Sequence, residues 1–323
     1  MLVLGTSVKD EGPAMLEWVA YHLSIGFDHI IIAYNDCSDG SDALIRALGK
    51  RPDITVFENK LGPEEAPQRA ALDKIQKTKI FKAADFYIHL DADEFLNIHT
   101  GNQKVDSLAL VMGNNDVLSI NWACFGPKED EIASSEWVTK RFKHRLNNKD
   151  FFSHTCKSFI RRPKRFSNLR IHGPMKKKTR RPSFVMRDNG KVLEIGMDQN
   201  LVVATKSKHY EKQPASYQLA QINHYITKSM PEFRLRRLRG RGVRFLDENE
   251  KLIVRHSQEH FETFAEAKIL DNTIQPKLKN AQKTALRLLL SPAVALAYFQ
   301  CKRHRAHLIK EARRPWDAER YEM

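Results

Sequence analysis

The sequence predicts an α/β fold: a mostly parallel central sheet flanked by helices, followed by a helical C-terminal extension. Short apolar runs of strand length alternate with helix-length segments through the first hundred residues. Those runs are apolar throughout rather than alternating with polar residues, the pattern of strands covered on both faces. The chain has 323 residues, 41% of them hydrophobic, which is enough for a packed core and excludes wholesale disorder.

The elements follow in order. Met1 to Ser7 reads as a buried strand. Glu11 to Ile25 reads as a helix, with Met15, Leu16, Val19 and Leu23 at helical spacing, Pro13 near its start and Gly26 beyond its end. His29 to Tyr34 is a second strand, running into the polar turn of residues 35–40. Ser41 to Leu48 is helical, Ile54 to Phe57 a third strand, Ala66 to Ala83 a long helix, and Phe86 to Leu90 a fourth strand. Val117 to Cys124 reads as a strand; Ser216 to Tyr225 and Met230 to Arg239 read as helices, and Phe261 to Arg287 as mostly helical. This divides the chain into a domain of residues 1–245, with halves 1–105 and 106–245, and a helical extension of residues 246–323.

The net charge of +15 is unevenly spread. Residues 1–139 are acidic, whereas residues 140–187 carry 17 Lys and Arg against a single acid, Asp150, in a segment made turn-rich by Pro163, Gly173, Pro174 and Pro182. Such a block attracts polyanions such as lipid head groups or acidic glycans, or serves as a solvated loop surface. Nucleic acid is disfavoured as a partner, because no recognised nucleic-acid module frames the block. Cys37, Cys124, Cys156 and Cys301 form no C-x-x-C pair, which disfavours a zinc ribbon and suits a reducing, cytoplasmic setting. The first residues lack a basic segment followed by a long apolar one, as a signal peptide would show. No uninterrupted apolar stretch reaches the roughly 18 residues of a membrane span. Any membrane association is therefore expected to be peripheral, at the inner face, through the basic block or the tail from Leu288 to Arg314; alternatively the apolar run of that tail packs onto the catalytic domain or a second subunit.

The sharpest chemical feature is Phe-Tyr-Ile-His-Leu-Asp-Ala-Asp-Glu-Phe at 86–95. A buried strand there delivers Asp91, Asp93 and Glu94 at its carboxyl end, where α/β sheets bind ligands. Close carboxylates repel unless a cation joins them, and Mg²⁺ or Mn²⁺ would leave positions open for a diphosphate. An acidic loop capping the next segment is the plainer alternative. Thr6 to Gly12 and Tyr34-Asn35-Asp36 end the first two strands at the same edge. Acidic groups there could accept from a base or ribose hydroxyl and Lys9 could meet phosphate, or both segments serve as turns and helix caps. His224 and Lys228 are four apart, on one face if helical, and could add an imidazole ligand and a cation for the leaving group.

Together these segments resemble family 2-like glycosyltransferases of GT-A fold, the DxD-containing bacterial type. The resemblance rests on residues 9–22, 26–40 and 89–95, with Ile-Asn-Trp-Ala-Cys-Phe-Gly at 120–126 and Asn-His-Tyr-Ile-Thr-Lys-Ser at 223–229 as later motifs, in order over roughly residues 1–240. It implies a GT-A-like, Rossmann-like fold and a metal-dependent, inverting hexosyltransferase. Such an enzyme would move sugar from a nucleotide-diphosphate sugar, a UDP-sugar foremost, to a glycan or lipid-linked acceptor in polysaccharide biosynthesis. Thr6, Lys9, Glu11, Asn35, Asp36, Gln68, Arg69, Asp91 and Lys228 would hold the donor; Asp91, Asp93 and His224 would hold Mn²⁺ or Mg²⁺. The base is expected beyond the DxD, at Asp130, with Asp198 or Glu194 next; the acidic cluster Glu129-Asp130-Glu131 reads equally as a solvated loop. Two rivals stand beside this reading. A nucleotidyltransferase forming nucleotide sugars would want a glycine-rich phosphate loop, where residues 5–12 offer only Gly5 and Gly12. A non-enzymatic polyanion-binding protein explains residues 140–187 but not the ordered acidic sites.

Overall fold

The computed structural model describes residues 1–62, 65–127, 136–177, 182–195, 214–238 and 257–312. The chain opens with β1 (Leu2–Val8), α1 (Ala14–Ser24), β2 (His29–Tyr34), α2 (Ser41–Leu48), β3 (Ile54–Glu58), α3 (Pro67–Lys77), α4 (Lys79–Ala83), β4 (Phe86–His89), β5 (Glu94–Ile98), α5 (Val105–Met112) and β6 (Val117–Gly126). It continues with α6 (Val138–Arg141), β7 (His144–Arg145), β8 (Cys156–Arg161), β9 (Phe166–Arg170), β10 (Gly173–Lys177), β11 (Ser183–Arg187) and β12 (Val192–Ile195). The described remainder is β13 (Ala220–His224), α7 (Met230–Leu238), α8 (Gln258–Ala265), β14 (Ile269–Leu270), α9 (Leu278–Leu289) and α10 (Pro292–Ala312).

The main sheet runs β12-β11-β6-β8-β4-β1-β2-β3. β4, β1, β2 and β3 are mutually parallel, as expected of strands linked by helical crossovers. β8 runs antiparallel between β4 and β6, so the second half of the chain completes the sheet from its other side. β13 pairs antiparallel with β5 and parallel with β6, while β9 and β10 form a separate ribbon.

The period-two geometry of strands explains the two cores. In β1 and β2, Leu4, Ile30 and Ile32 face the cluster shared with α1, α2 and α5; Val3, Ile31 and Ala33 face the cluster shared with α3 and α4. Every residue of β2 is buried; each of its isoleucines contributes on the order of 1.5–3 kcal/mol by leaving water. Gly5 is required by close approach, since a Cβ there would overlap the Tyr87 ring on β4.

The segment expected as one helix over 66–83 is two. Thr78 leaves the helical region (φ −65°, ψ 149°) and its hydroxyl accepts from Phe81 N–H, starting α4 anew. The segment expected as helical over 216–225 contains strand β13 instead, because β5 and β6 supply its hydrogen-bond partners. The basic block holds five strands among its turns, β7 to β11. The C-terminal extension shares the main core. α9 packs Leu278, Ala281, Ala285 and Leu288 inward, chiefly against α1, and α10 lies on α2 and α7.

Candidate active site at the carboxyl edge of the parallel strands

Three loops meet where β4, β1 and β2 end. The turn after β4 is anchored from below by Trp18 of α1, whose indole N–H donates to the carbonyls of Asp91 (3.1 Å) and Glu94 (2.9 Å). Asp91 N–H donates to Glu94 Oε2 at 2.8 Å, closing the turn on itself. Asp10 ties the loop after β1 to the loop after β2: its Oδ1 accepts from Ser38 N–H (2.6 Å), Ser38 Oγ (3.2 Å) and Asp39 N–H (3.2 Å). Asp10, Asp36 and Lys228 all adopt left-handed backbone, with φ of 52°, 45° and 56°. Three strained non-glycine residues around one edge is the pattern of a site held against local preference.

The carboxylates are matched by buried cations. Lys157, fully buried on β8, places its ammonium 3.0 Å from Asp91 Oδ2 and 3.0 Å from Glu94 Oε2. Burial opposes its charge, but the two carboxylates outweigh burial and push Lys157 up to about 12. One cation cannot fully serve two acids. Burial opposes ionisation of both, yet the Lys157 charge holds Asp91 below the usual range, while burial wins at Glu94 and raises it to about 7. Gln68 Nε2 approaches Asp91 Oδ1 at 3.4 Å.

Asp93 sits in a second cationic nest. Arg236 Nη1 of α7 reaches its Oδ2 at 2.5 Å and the Ile226 carbonyl at 2.6 Å. His224 Nε2 lies 3.7 Å from Asp93 Oδ1. Burial opposes the Asp93 charge, but Arg236 and then His224 outweigh it and hold Asp93 well below the usual carboxylate range. The His224 ring packs on Trp122 at 4.2 Å, and its Nδ1 is buried with no hydrogen-bond partner. Tyr225 N–H donates to the Asp93 carbonyl, so the backbone after β13 is fastened to the DxD turn. Lys228 meets Glu11 at 3.3 Å across the edge.

A cleft of about 170 Å³ opens beside these pairs, walled by Asp10, Glu11, Ser38, Asp39, Thr227 and Lys228, with Glu232 and Arg236 from α7 and Arg305 and Leu308 from α10. Glu11 and Lys228 thus line the cleft, and Asp93 reaches it through Arg236. Asp91, with Gln68 beside it, belongs to the Lys157 cluster next to the cleft. Thr6 is fully buried, its Oγ1 without a partner; Asn35 is buried against Asp36. Lys9 is half-buried, Asp36 exposed, and Arg69 lies outside with its partner Asp73 at 3.9 Å. His224 and Lys228 do not share a helix face. His224 ends β13, and Lys228 sits in the turn beyond it. Asp130 and Asp198 fall outside the described residues, and Glu194 is exposed on β12, the far edge of the sheet.

Sequence reasoning missed Lys157, Arg236, Trp18 and Glu17. Glu17 is buried in α1 and caps α6, accepting from Val138 N–H (2.8 Å), Thr139 N–H (3.0 Å) and Thr139 Oγ1 (2.7 Å). The available signal for Lys157 was its position inside the apolar strand Cys156-Lys157-Ser158-Phe159-Ile160.

The residues can be tested against a divalent cation. Among the described residues, no three His, Cys, Asp or Glu side chains are grouped as a complete protein metal centre. Mg²⁺-type sites, however, use one or two protein ligands and fill the rest with substrate phosphate and water. Asp93 and His224 are such a pair, facing each other through Oδ1 and Nε2 at 3.7 Å while Arg236 holds the other Asp93 oxygen. The Asp91 carboxylate is held by Lys157 instead.

These features define an α/β protein with a cleft lined by charged residues at the carboxyl edge of its parallel strands. No protein-family model matches the chain, and no curated protein matches it. Among solved structures, it is similar to residues 1–349 of TarS from S. aureus, with 10% identity, 97% of this chain and 91% of that chain covered, and a TM-score of 0.32. It is also similar to HddC from Yersinia pseudotuberculosis, with 10% identity, 64% and 99% covered, and a TM-score of 0.32. At that score the backbones share too little of their course for function to pass between them.

Proposed function

We propose that the protein transfers a sugar from a nucleotide-diphosphate sugar, a UDP-sugar foremost, to a glycan or lipid-linked acceptor. The observation that carries this reading is the meeting of the DxD turn with the ends of β1 and β2 and with the cations Lys228 and Arg236 at one cleft. A nucleotide diphosphate needs acceptors for its base and ribose and fixed positive charge for its phosphates. Asp10, Glu11 and Ser38 supply the first kind of group, Lys228 and Arg236 the second. An ammonium has three donors and a guanidinium five, so each can keep its carboxylate and still donate to phosphate. Fixed cations aimed at a departing diphosphate stabilise charge as it develops.

Asp93 and His224 would hold Mn²⁺ or Mg²⁺, which when bound adds Lewis-acid stabilisation of the leaving diphosphate. Lys157 keeps Asp91 ionised and fixed, so the turn presents Asp93 in a constant position. An inverting transfer also requires a base for the acceptor hydroxyl, and Asp130 is proposed for it. Asp130→Asn is expected to retain donor binding and lose transfer.

The test is a panel of nucleotide sugars scored by hydrolysis and by protection against thermal unfolding, with and without Mn²⁺. Metal-stimulated hydrolysis of one donor, lost in Asp93→Asn, supports the reading. Polyanion binding without protection by any nucleotide sugar overturns it in favour of a binding protein.

A further inference from the structure

We infer that the corner between α9 and α10 is a docking surface for an anionic membrane. The two helices meet at a bend of 110°. Their inner faces are committed to the fold through Ala281, Ala285 and Leu288 on α9 and Val294, Ala297 and Cys301 on α10. Their outer faces at the corner are not. Leu286 is 66% exposed, Leu290 81%, Leu296 62% and Phe299 60%. Leu286 and Leu290 are four apart, Leu290 continuing the helical backbone as the cap of α9, and Leu296 and Phe299 are three apart on α10, so each pair shares one face. No other stretch this short carries as many exposed large apolar side chains among the described residues.

The charge around the corner chooses the occupant. No Asp or Glu lies between Asp271 and Glu311. On the arms leading away from the bend, Lys279, Lys283 and Arg287 are exposed on α9, and Arg303 and Lys310 on α10. An apolar apex whose own two helices carry cations and no acid short of Glu311 suits a bilayer: leucine and phenylalanine enter the acyl boundary while ammonium and guanidinium groups meet lipid phosphates. A second copy of this face would bring like charges together, which disfavours a symmetric dimer. No single helix among the described residues is long and apolar enough to cross a membrane, and the bent pair passes only together, by length and composition; because the inner faces of both helices are buried in the fold, the contact inferred here is interfacial. The same α10 contributes Arg305 and Leu308 to the cleft wall, which couples the docking face to the site by one rigid helix. The surface stands independently of the sugar-transfer reading.

Co-sedimentation of the full chain with phosphatidylcholine vesicles, with and without phosphatidylglycerol, tests it. Binding is expected with the anionic vesicles at low salt and release at high salt. Leu290→Glu/Phe299→Glu is expected to weaken binding by ~tenfold or more, since it removes the inserted apolar groups and adds repulsion. Both positions are exposed, so an unchanged melting temperature certifies the fold. Lys283→Glu/Arg303→Glu is expected to shift binding in the same direction. Supernatant-only wild type overturns the inference. So does vesicle binding unaffected by the Leu290/Phe299 variant, which would transfer the contact to the basic block. Light scattering that shows a dimer dissolved by that variant would assign the corner to a second copy instead.

Discussion

The first hundred residues and the segment 140–238 contribute to one site by opposite routes. In the first, β1, β2 and β4 lie side by side and parallel, and each functional group follows its strand by a residue or a few. In the second, β8 and β13 reach the site by pairing with strands far away in sequence: Lys157 lies opposite Ile120 and His224 opposite Glu94. The first region brings the acids and the second the cations that make them tolerable in a buried place. A basic block read as solvent-facing is therefore partly internal. Lys157 is buried, Arg141 pairs with Glu232 at 2.7 Å, and Arg145 pairs with Asp271 at 2.9 Å.

The strongest way to break this comparison is to remove the cation that joins the two regions. Lys157→Met leaves the fully buried Glu94 and the partly buried Asp91 without their partner. Loss of one member of a buried pair costs ~3–5 kcal/mol, so denaturant unfolding is expected to show the variant far less stable. A change below ~0.5 kcal/mol, the scale of ordinary surface substitutions, would mean that the ammonium is solvated and that the two regions are not electrostatically joined.

The next largest effect is expected on activity. Asp93→Asn keeps the shape of the side chain and removes the charge that Arg236 and His224 face. Under the proposed sugar transfer, Asp93 would hold the cation that stabilises the departing diphosphate, and loss of that stabilisation is expected to cost ~10²–10³ in rate, measured as donor hydrolysis in the panel above. His224→Ala is expected to cost less, and to reduce the stimulation by Mn²⁺. Unchanged Mn²⁺ stimulation there would remove His224 from the cation's coordination.

Much of the first region was legible in the sequence because its signals are local. The apolar runs 29–34 and 86–90 bound strands to within a residue, and the DxD turn was placed at the carboxyl end of its strand. The second region was not, for a physical reason. Strand pairing is decided by partners distant in the chain, so residues 216–225 carry no local mark that separates β13 from a helix. His224 and Lys228 were brought to the same edge, but by a strand end and a left-handed turn. Arg236 could not be assigned to Asp93 without knowing where α7 lies. Neither could Lys157 be separated from the exposed cations around it by charge counting; only its apolar neighbours distinguish it.

Glu94 sharpens the comparison through pH. Burial raises it from its ordinary value of 4.5 to about 7, although Lys157 pulls the other way. Between those values the folded protein keeps a proton that the unfolded chain has released. The stability due to this group is therefore fully present below about pH 4.5, falls as pH rises through about 7, and is level above. His22 and His89, both lowered to about 3 chiefly by burial, act oppositely below their unfolded values. The wild-type curve alone is thus ambiguous, and the difference from Glu94→Gln isolates the effect. The amide mimics the protonated acid and retains an oxygen to accept from Asp91 N–H. The variant's advantage over wild type is expected to grow from pH 4.5 to 7 in urea unfolding. A constant difference would show that Glu94 stays ionised beside Lys157 across that range.

The smallest expected effect comes from the cations that stayed outside. Lys164 and Arg165 belong to the same dense block as Lys157 but are exposed at the short turn before β9. Among the described residues, neither is engaged in an ion pair with a buried carboxylate. Surface charges of this kind contribute little, so Lys164→Ala and Arg165→Ala are each expected to change stability by less than ~0.5 kcal/mol. Like charges crowd this segment, but Lys164 also attracts the exposed Asp85, so the net sign is expected to be near neutral and to vanish as salt screens both effects. Losses above ~1 kcal/mol in either variant would show that exposed members of the block also hold the fold together. The division between an inner cation buried among carboxylates and outer cations that contribute little would then fail.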